Sequence, residues 1–329
     1  MAAPGIRNSL TDVAGLKVGQ SEDTRVKTGV TVILPDERAV CAVDVRGGGP
    51  GTRETDALAA HTLVDAVDAV VLSGGSSYGL ASGDAVVAAL GARGRGFGLM
   101  ELPGVPRSPV VPGAILYDLA NGGDKDWGED LPYRRLAREA LDRVDVDFSQ
   151  GAHGAGHGAR AGAHAGGTGS ASWVTDDGFT VGALVCVNSF GSVTLPGQDN
   201  IYWAWPVEQN GEFGGRRPDV AAQQCLSLDD WGAAKINPGA RENTTIACVA
   251  TDAALTPAQA QRFAIMAQDG LARAIRPIHT PFDGDVVFAL STGQVVLGDA
   301  AELTLARLGS IAADCLARAV ARGVYEARR

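Results

Sequence analysis

The sequence predicts an α/β fold, on three observations. Short apolar runs of strand length alternate with stretches of helical spacing along nearly the whole chain. Glycine is abundant, at 44 residues, and is joined by much Ala and Val, while Phe, Trp and Tyr together make 5% of the chain. Such a composition suits layers of helix and sheet with many close backbone approaches. The alternation is too irregular for a simple doubly wound sheet.

Residues 29–34 and 39–45 read as two strands joined by the turn Pro35-Asp36-Glu37-Arg38. The glycine loop Arg46-Gly-Gly-Gly-Pro-Gly51 follows, then a predicted helix over about 54–67. Residues 69–72 form a short buried strand, and Gly74-Gly-Ser-Ser-Tyr-Gly79 leads into a second helix through Leu90. Three prolines between 106 and 112 forbid a central strand until Ala114. Residues 151–169 are almost wholly Gly, Ala and His. Residues 179–187 are a convincing buried strand that ends at Asn188. From 196 to 240 the pattern breaks up around Trp203, Trp205 and Trp231, as in a long loop region suited to substrate contact.

Beyond Thr244 order returns, with a strand to about Ala250. Thr256-Pro257-Ala258-Gln259 is a helix start: Thr as N-cap, Pro at N1 and Gln at N3 closing a capping box. Residues 285–290 are another strand. The last helix, from about Ala301, places Leu305, Leu308, Ala312, Cys315 and Val320 on one face. No repeat or clean boundary divides the 329 residues, so one domain spanning 1–329 is expected.

With 28 basic and 38 acidic residues the net charge is −10, which argues against nucleic acid or anionic membrane as a partner and favours amine-bearing substrates. The five cysteines (Cys41, Cys186, Cys225, Cys248, Cys315) are widely spaced with no C-x-x-C; three sit in apolar runs, as small buried hydrophobes of a reducing compartment do. The first residues lack a signal pattern and no apolar run approaches a membrane span, so the expected location is the cytoplasm.

The most informative stretch runs from 242 to 250, where Asn243-Thr244-Thr245 opens a strand-type apolar run after the Pro-Gly loop at 237–240. A threonine hydroxyl is a poor nucleophile without a base in hydrogen-bond reach. Cutting the chain just before it frees an α-amine that can be that base. The tripeptide alone also fits a glycosylation sequon or ordinary strand threonines; a cytoplasmic location disposes of the first.

Other candidates have plain readings beside functional ones. Neither glycine loop has P-loop or dinucleotide spacing, so each is a structural turn or a backbone oxyanion site before it is a nucleotide cradle. His153, His157 and His164 lack carboxylate or thiol partners nearby, and no metal or cofactor is expected. Asp283-Gly284-Asp285 can aim one carboxylate into a site, or be an Asp-Gly turn. Asn188 can donate to an oxyanion or close a strand, and Tyr117 can donate to the site or be a buried phenol.

Taken together, Arg46-Gly-Gly-Gly-Pro-Gly-Thr-Arg-Glu-Thr-Asp56, Leu72-Ser-Gly-Gly-Ser-Ser-Tyr-Gly-Leu80, Val110-Val-Pro-Gly-Ala-Ile-Leu-Tyr-Asp118, Val181-Gly-Ala-Leu-Val-Cys-Val-Asn188, Asn243-Thr-Thr-Ile246 and Asp283-Gly-Asp285 occur in one order. That order strongly resembles the self-cleaving DmpA-type peptidase family of L-aminopeptidase/D-esterases, β-peptidyl aminopeptidases and nylon-oligomer hydrolases. The resemblance runs from about Thr11 to the last helix. It implies a four-layer αββα sandwich of the N-terminal-nucleophile hydrolase type. It also implies self-cleavage into chains 1–243 and 244–329, and a homotetramer of such pairs.

By position, the resemblance makes Thr244 the nucleophile and Asn243–Thr244 the cut. It gives Asn188 an oxyanion contact, puts Tyr117 on the site wall, and sets Asp283 and Asp285 near Thr244 to orient it or its amine. One departure stands out: many relatives carry a lysine about where Ala163 stands, and either His164 or Arg160 replaces that cation here or the site does without it. The substrates implied are linear amides, either short amino-terminated peptides or 6-aminohexanoate-type oligomers. Two rivals are an acyl transferase resembling the ornithine acetyltransferases, and an uncleaved binding protein in which Thr244 is only a strand residue.

Overall fold

The computed structural model describes residues 2–98, 102–219, 227, 229–235 and 243–329. Cys225, the loop at 237–240 and residue 242 lie outside the described residues. Fourteen strands are present among those described: β1 (Leu16–Asp23), β2 (Thr28–Pro35), β3 (Val40–Val45), β4 (Thr52–Arg53), β5 (Val70–Ser73), β6 (Gly113–Ile115), β7 (Arg160–Ala161), β8 (His164–Ala165), β9 (Gly167–Val174), β10 (Thr180–Asn188), β11 (Thr194–Leu195), β12 (Gln198–Tyr202), β13 (Thr244–Ala253) and β14 (Val286–Val295). The helices are α1 (Ala81–Ala92), α2 (Tyr133–Asp142), α3 (Pro257–Ala274) and α4 (Ala301–Ala327).

Two five-stranded sheets carry the fold, in the orders β1-β2-β5-β6-β4 and β3-β14-β13-β10-β9. Apolar side chains from both, among them Ile33, Leu72, Leu184, Cys186, Ile246, Cys248 and Phe288, meet in one cluster between the sheets. Helices α1 and α2 cover the outer face of the first sheet through Val86, Leu90, Leu136 and Leu141. Helices α3 and α4 cover the outer face of the second through Phe263, Leu271, Leu308, Leu316 and Val320. The layers therefore run helix, sheet, sheet, helix, the expected αββα sandwich. A strand covered on both faces reads as a continuous apolar run, and β10 and β13 are buried at every position.

Several elements follow directly from local chemistry. Thr256 caps α3, its hydroxyl accepting from Gln259 N while Gln259 Oε1 accepts from Thr256 N at 2.9 Å. The positions 305, 308, 312, 315 and 320 are all buried on α4. The glycines of β9 admit that helix: a Cβ at Gly169 would lie 1.9 Å from the Ala319 carbonyl oxygen.

Three expectations are corrected. Residues 29–34 and 39–45 are strands, but not a hairpin: β2 pairs with β1 and β5, whereas β3 pairs with β14 in the other sheet. The intervening turn is a crossover between layers, and the fully buried β2 is an interior strand rather than one arm of a ribbon. The predicted helix over 54–67 is absent apart from a 3-10 turn at Asp56–Leu58. Thr62 Oγ1 bonds back to the Ala57 carbonyl at 2.6 Å, a local alternative to a helical ladder, and Leu63 is fully exposed. The described residues of the broken region after 196 are also more ordered than a loop. That region opens with the β11–β12 hairpin, and Trp203 lies under the Arg276 guanidinium at 5.3 Å.

Candidate active site

Strand register gathers the predicted residues at one end of the second sheet. Antiparallel pairing of β10 with β13 sets Asn188 directly opposite Thr244. Parallel pairing of β13 with β14 continues as a bridge between Asn243 and Asp283, so the Asp283-Gly284-Asp285 turn enters β14 beside the point where Thr244 enters β13. Strand β3 runs antiparallel to β14 and pairs Val45 with Val286, which delivers the 46–51 glycine loop to the same end.

Thr244 is buried, with 2% of its surface exposed. Its hydroxyl donates to the carbonyl oxygen of Asn243 at 2.5 Å, so the side-chain oxygen sits against the carbonyl group of its own preceding peptide. Gly284 flanks that hydroxyl so closely that a Cβ there would lie 2.6 Å from Thr244 Oγ1 and 2.7 Å from the Gly49 carbonyl oxygen. The glycine loop is thus a place of close backbone approach: Gly49 N donates to the Asp283 carbonyl at 2.7 Å, and Arg46 N to the Asp285 carbonyl at 3.0 Å.

The two carboxylates, both fully buried, hold backbone around the threonine. Asp285 Oδ1 accepts from Thr245 N at 2.8 Å, and Oδ2 accepts from His279 N at 3.2 Å and lies 2.8 Å from His279 Nδ1. Asp283 Oδ2 accepts from Thr280 N at 2.8 Å and Thr280 Oγ1 at 2.6 Å, and its Oδ1 accepts from Phe190 N at 3.2 Å. Burial, reinforced by the neighbouring Asp285 charge, pushes Asp283 above the usual carboxylate range. Asn188 Nδ2 donates to the Tyr117 carbonyl at 2.9 Å, while its Oδ1 accepts from Arg160 N at 2.9 Å. This side chain ties the two sheets together beside Thr244.

A cavity of about 420 Å³ opens beside this end, lined by Tyr117, Arg160, Ala163, Asn188, Ala233 and Lys235 among others. Thr244 is not among the lining residues, but its cross-strand neighbour Asn188 is. The other sequence candidates lie apart from it. The second glycine loop is a structural turn in which Asp118 accepts from Gly75 N at 2.8 Å and from Thr28 Oγ1 at 2.6 Å. The three histidines have separate partners: His153 on Glu22, His157 on the Ala152 carbonyl and His164 on Thr194 Oγ1. Among the described residues no group of three or more His, Cys, Asp or Glu is placed to hold a metal ion.

Three residues escaped sequence reasoning. Gly284 was seen only as a spacer, His279 had no motif, and Lys235 was one lysine among four. Lys235 Nζ donates to Asn243 Oδ1 at 2.6 Å, so the amine beside Asn243 comes from the segment before it rather than from position 163. The His164 ring faces Thr194 Oγ1, and burial, then the Arg328 charge, pulls its pKa down.

Comparison with known proteins agrees with this architecture. The chain is 44% identical over 338 residues to an uncharacterized aminopeptidase of Mycobacterium tuberculosis (strain ATCC 25618 / H37Rv), covering 98% of this chain and 94% of that protein. It is 29% identical over 300 residues to the 6-aminohexanoate-oligomer endohydrolase of Kocuria sp. (strain KY2), covering 87% and 75% respectively. Among solved structures, a Burkholderia sp. beta-aminopeptidase superposes with a TM-score of 0.69 at 23% identity, over 98% of this chain and 88% of that one. The L-aminopeptidase D-Ala-esterase/amidase of Ochrobactrum anthropi, described as a variant of the Ntn hydrolase fold, gives 0.68 at 23% identity, over 98% and 87%. The family model for peptidase family S58 matches residues 8–329, and the chain belongs to that family of amide-cleaving enzymes.

Proposed function

We propose that this peptidase is a self-processing N-terminal-threonine amidohydrolase. The observation that carries the reading is the Thr244 hydroxyl held 2.5 Å from the Asn243 carbonyl oxygen at a buried strand entrance. In the first stage Thr244 Oγ attacks the Asn243 carbonyl carbon. The C–N bond breaks as the nitrogen takes up a proton, and the resulting ester is hydrolysed by water. The products are chain 1–243, ending in a carboxylate, and chain 244–329, beginning with a free α-amine. In the second stage that amine, with an unperturbed pKa of about 7.7–8.0, accepts the hydroxyl proton as Thr244 attacks a substrate amide.

Asp285 is assigned the role of fixing the strand entrance through Thr245 N, and Asp283 that of fixing the Thr280 turn and the β10 exit. Asn188 and Tyr117 line the approach, with the Asn188 amide as the donor for the developing oxyanion once the Asn243 end departs. The substrates are linear amides: short amino-terminated peptides or 6-aminohexanoate-type oligomers. The reading includes a homotetramer of the cleaved pairs, which the exposed Phe97, Leu102 and Val105 suit as contact residues. It also includes a reducing, cytoplasmic setting, which the four unpaired, buried cysteines among the described residues suit.

Intact mass and N-terminal sequencing of the purified protein, beside Thr244→Ala, test the proposal. Two fragments, one starting at Thr244, are expected from the wild type and none from the variant. A wild-type chain that stays whole and hydrolyses no amide would return Thr244 to the role of a strand residue.

A further inference from the structure

Consecutive residues 279 and 280 hold the two buried carboxylates of the site. Thr280 N and Oγ1 donate to Asp283 Oδ2, while His279 meets Asp285 Oδ2 twice, from its backbone N at 3.2 Å and with ring Nδ1 at 2.8 Å. A carboxylate oxygen that takes a backbone N–H is an acceptor, so the ring proton facing it sits on Nδ1. The His279 side chain is 20% exposed and that of Asp285 is fully buried. With Oδ2 pinned in this way, Oδ1 is left aimed at Thr245 N, which donates to it at 2.8 Å. That N–H belongs to the peptide plane that also carries the Cα of Thr244.

We propose that His279 is a positioning residue for the nucleophile, acting through Asp285, and that it contributes more to the cut enzyme than to the uncut chain. The inference rests on Thr244 being the nucleophile. Before the cut, Thr244 hangs between two peptide planes. Residue 243, on the earlier one, is fixed by the Asn243–Asp283 bridge and by Lys235 Nζ on its side-chain oxygen. The cut breaks the C–N bond between 243 and 244, and those contacts no longer reach Thr244 through the chain. The 244–245 plane is then its one covalent support. That plane is held from β10 by the pairing with Asn188, and from the β14 side by the line His279, Asp285, Thr245 N. Without the ring, the carboxylate can rotate and the plane can tilt, which displaces Oγ1 and the α-amine together. The ring acts as a hydrogen-bond donor at Nδ1, and no proton transfer is asked of it.

His279→Gly and His279→Asn test this. His279 has a φ of 56°, which both replacements tolerate, and only Asn offers a side-chain N–H near the place of Nδ1. Rates are read below the temperature at which any of the three chains melts in the uncut Thr244→Ala background. The probe is whichever of L-Leu 4-nitroanilide, L-Ala 4-nitroanilide and the linear 6-aminohexanoate trimer the wild type cleaves fastest. His279→Gly should lower kcat on it by about 10- to 100-fold, the cost of misplacing a reacting atom by up to about 1 Å, and leave KM and the self-cleavage rate within about threefold. His279→Asn, which keeps a donor on the carboxylate, should recover at least about a third of the wild-type kcat. A wild-type kcat in His279→Gly, an Asn variant as slow as Gly, or self-cleavage slowed as much as hydrolysis would overturn this assignment alone. So would a wild type that cuts itself and hydrolyses no probe, since the residue would then have no hydrolysis to serve. A wild type that stays whole would overturn it along with the Thr244 reading.

Discussion

Gly284→Ala adds one carbon to the wall behind the proposed nucleophile. The new Cβ would lie 2.6 Å from Thr244 Oγ1, 2.7 Å from the Gly49 carbonyl oxygen and 3.2 Å from Pro50 Cα. Contacts under 3.0 Å are not tolerated at a Cβ, so the hydroxyl must retreat by at least about 0.4 Å, and the Gly49 carbonyl must shift too. Because Gly284 does not occupy the left-handed region, Ala brings no backbone strain of its own there. The consequence is therefore confined to crowding, which costs about 1–3 kcal/mol of stability. Displacements approaching 1 Å at a reacting atom cost on the order of 100-fold in rate, so self-cleavage should slow by about 10- to 100-fold. A gel and intact-mass time course measures the rate, and melting of the same substitution in a Thr244→Ala background measures stability. Gly98→Ala is the control, since among the described residues its Cβ meets nothing nearer than Arg107 Cγ at 3.7 Å. Cleavage of Gly284→Ala at the wild-type rate would refute the argument that the 284 backbone holds the hydroxyl against the Asn243 carbonyl.

Further predictions concern buried charge and the helix cap, all measured by denaturation in the uncut Thr244→Ala background. Arg318 and Glu212 form an ion pair at 2.6 Å with side chains 2% and 7% exposed, so Glu212→Gln should cost about 3–5 kcal/mol by leaving the guanidinium unpaired. Burial raises the Glu212 pKa, but the Arg318 hydrogen bond and charge outweigh it and the net shift is downward. Its stabilisation is therefore present above the unfolded Glu value of about 4.3 and is lost as pH falls through the lower folded value. Asp283 has the opposite sign: its folded pKa is raised, so its contribution is full below about 3.9 and is lost as pH rises through the folded value. Asp283→Asn should accordingly be most destabilising in acid and recover relative to its parent as pH rises toward 7; a gap that widens with pH would contradict this. Thr256→Ala should cost about 1 kcal/mol by removing the side-chain half of the α3 capping box.

What the sequence disclosed depended on the range of the interactions involved. The capping box at Thr256, the buried face of α4 and the strand ending at Asn188 are written in residues a few positions apart, and all three are present. The pairing of β2 and β3 was misread because adjacency in sequence is a good prior for hairpins. Here layer packing decided instead: β2 is covered on both faces between β1 and β5, while β3 pairs with β14 in the other sheet. The helix over 54–67 failed for a local reason of the opposite kind, with the Thr62 hydroxyl offering the backbone a bond that a helix would have to exclude.

The site shows the same division more sharply. Asn188, Asn243, Thr244, Asp283 and Asp285 meet because register places them at one sheet end, and register is invisible in any one segment. Residue order carried them as a set, yet it left open whether His164, Arg160 or no cation at all stands in for the lysine absent at Ala163. Lys235 comes instead from a stretch with no helical or strand period, held in place by Phe190 and Ala163. A charge has to arrive at a point in space, and any segment that passes there can bring it. The Asp-Gly-Asp turn differs because its glycine is constrained on both sides, by the Thr244 hydroxyl and by the Gly49 carbonyl. Replacement of that glycine must disturb the nucleophile, whereas a lysine can be supplied from either side of the cavity without moving a strand.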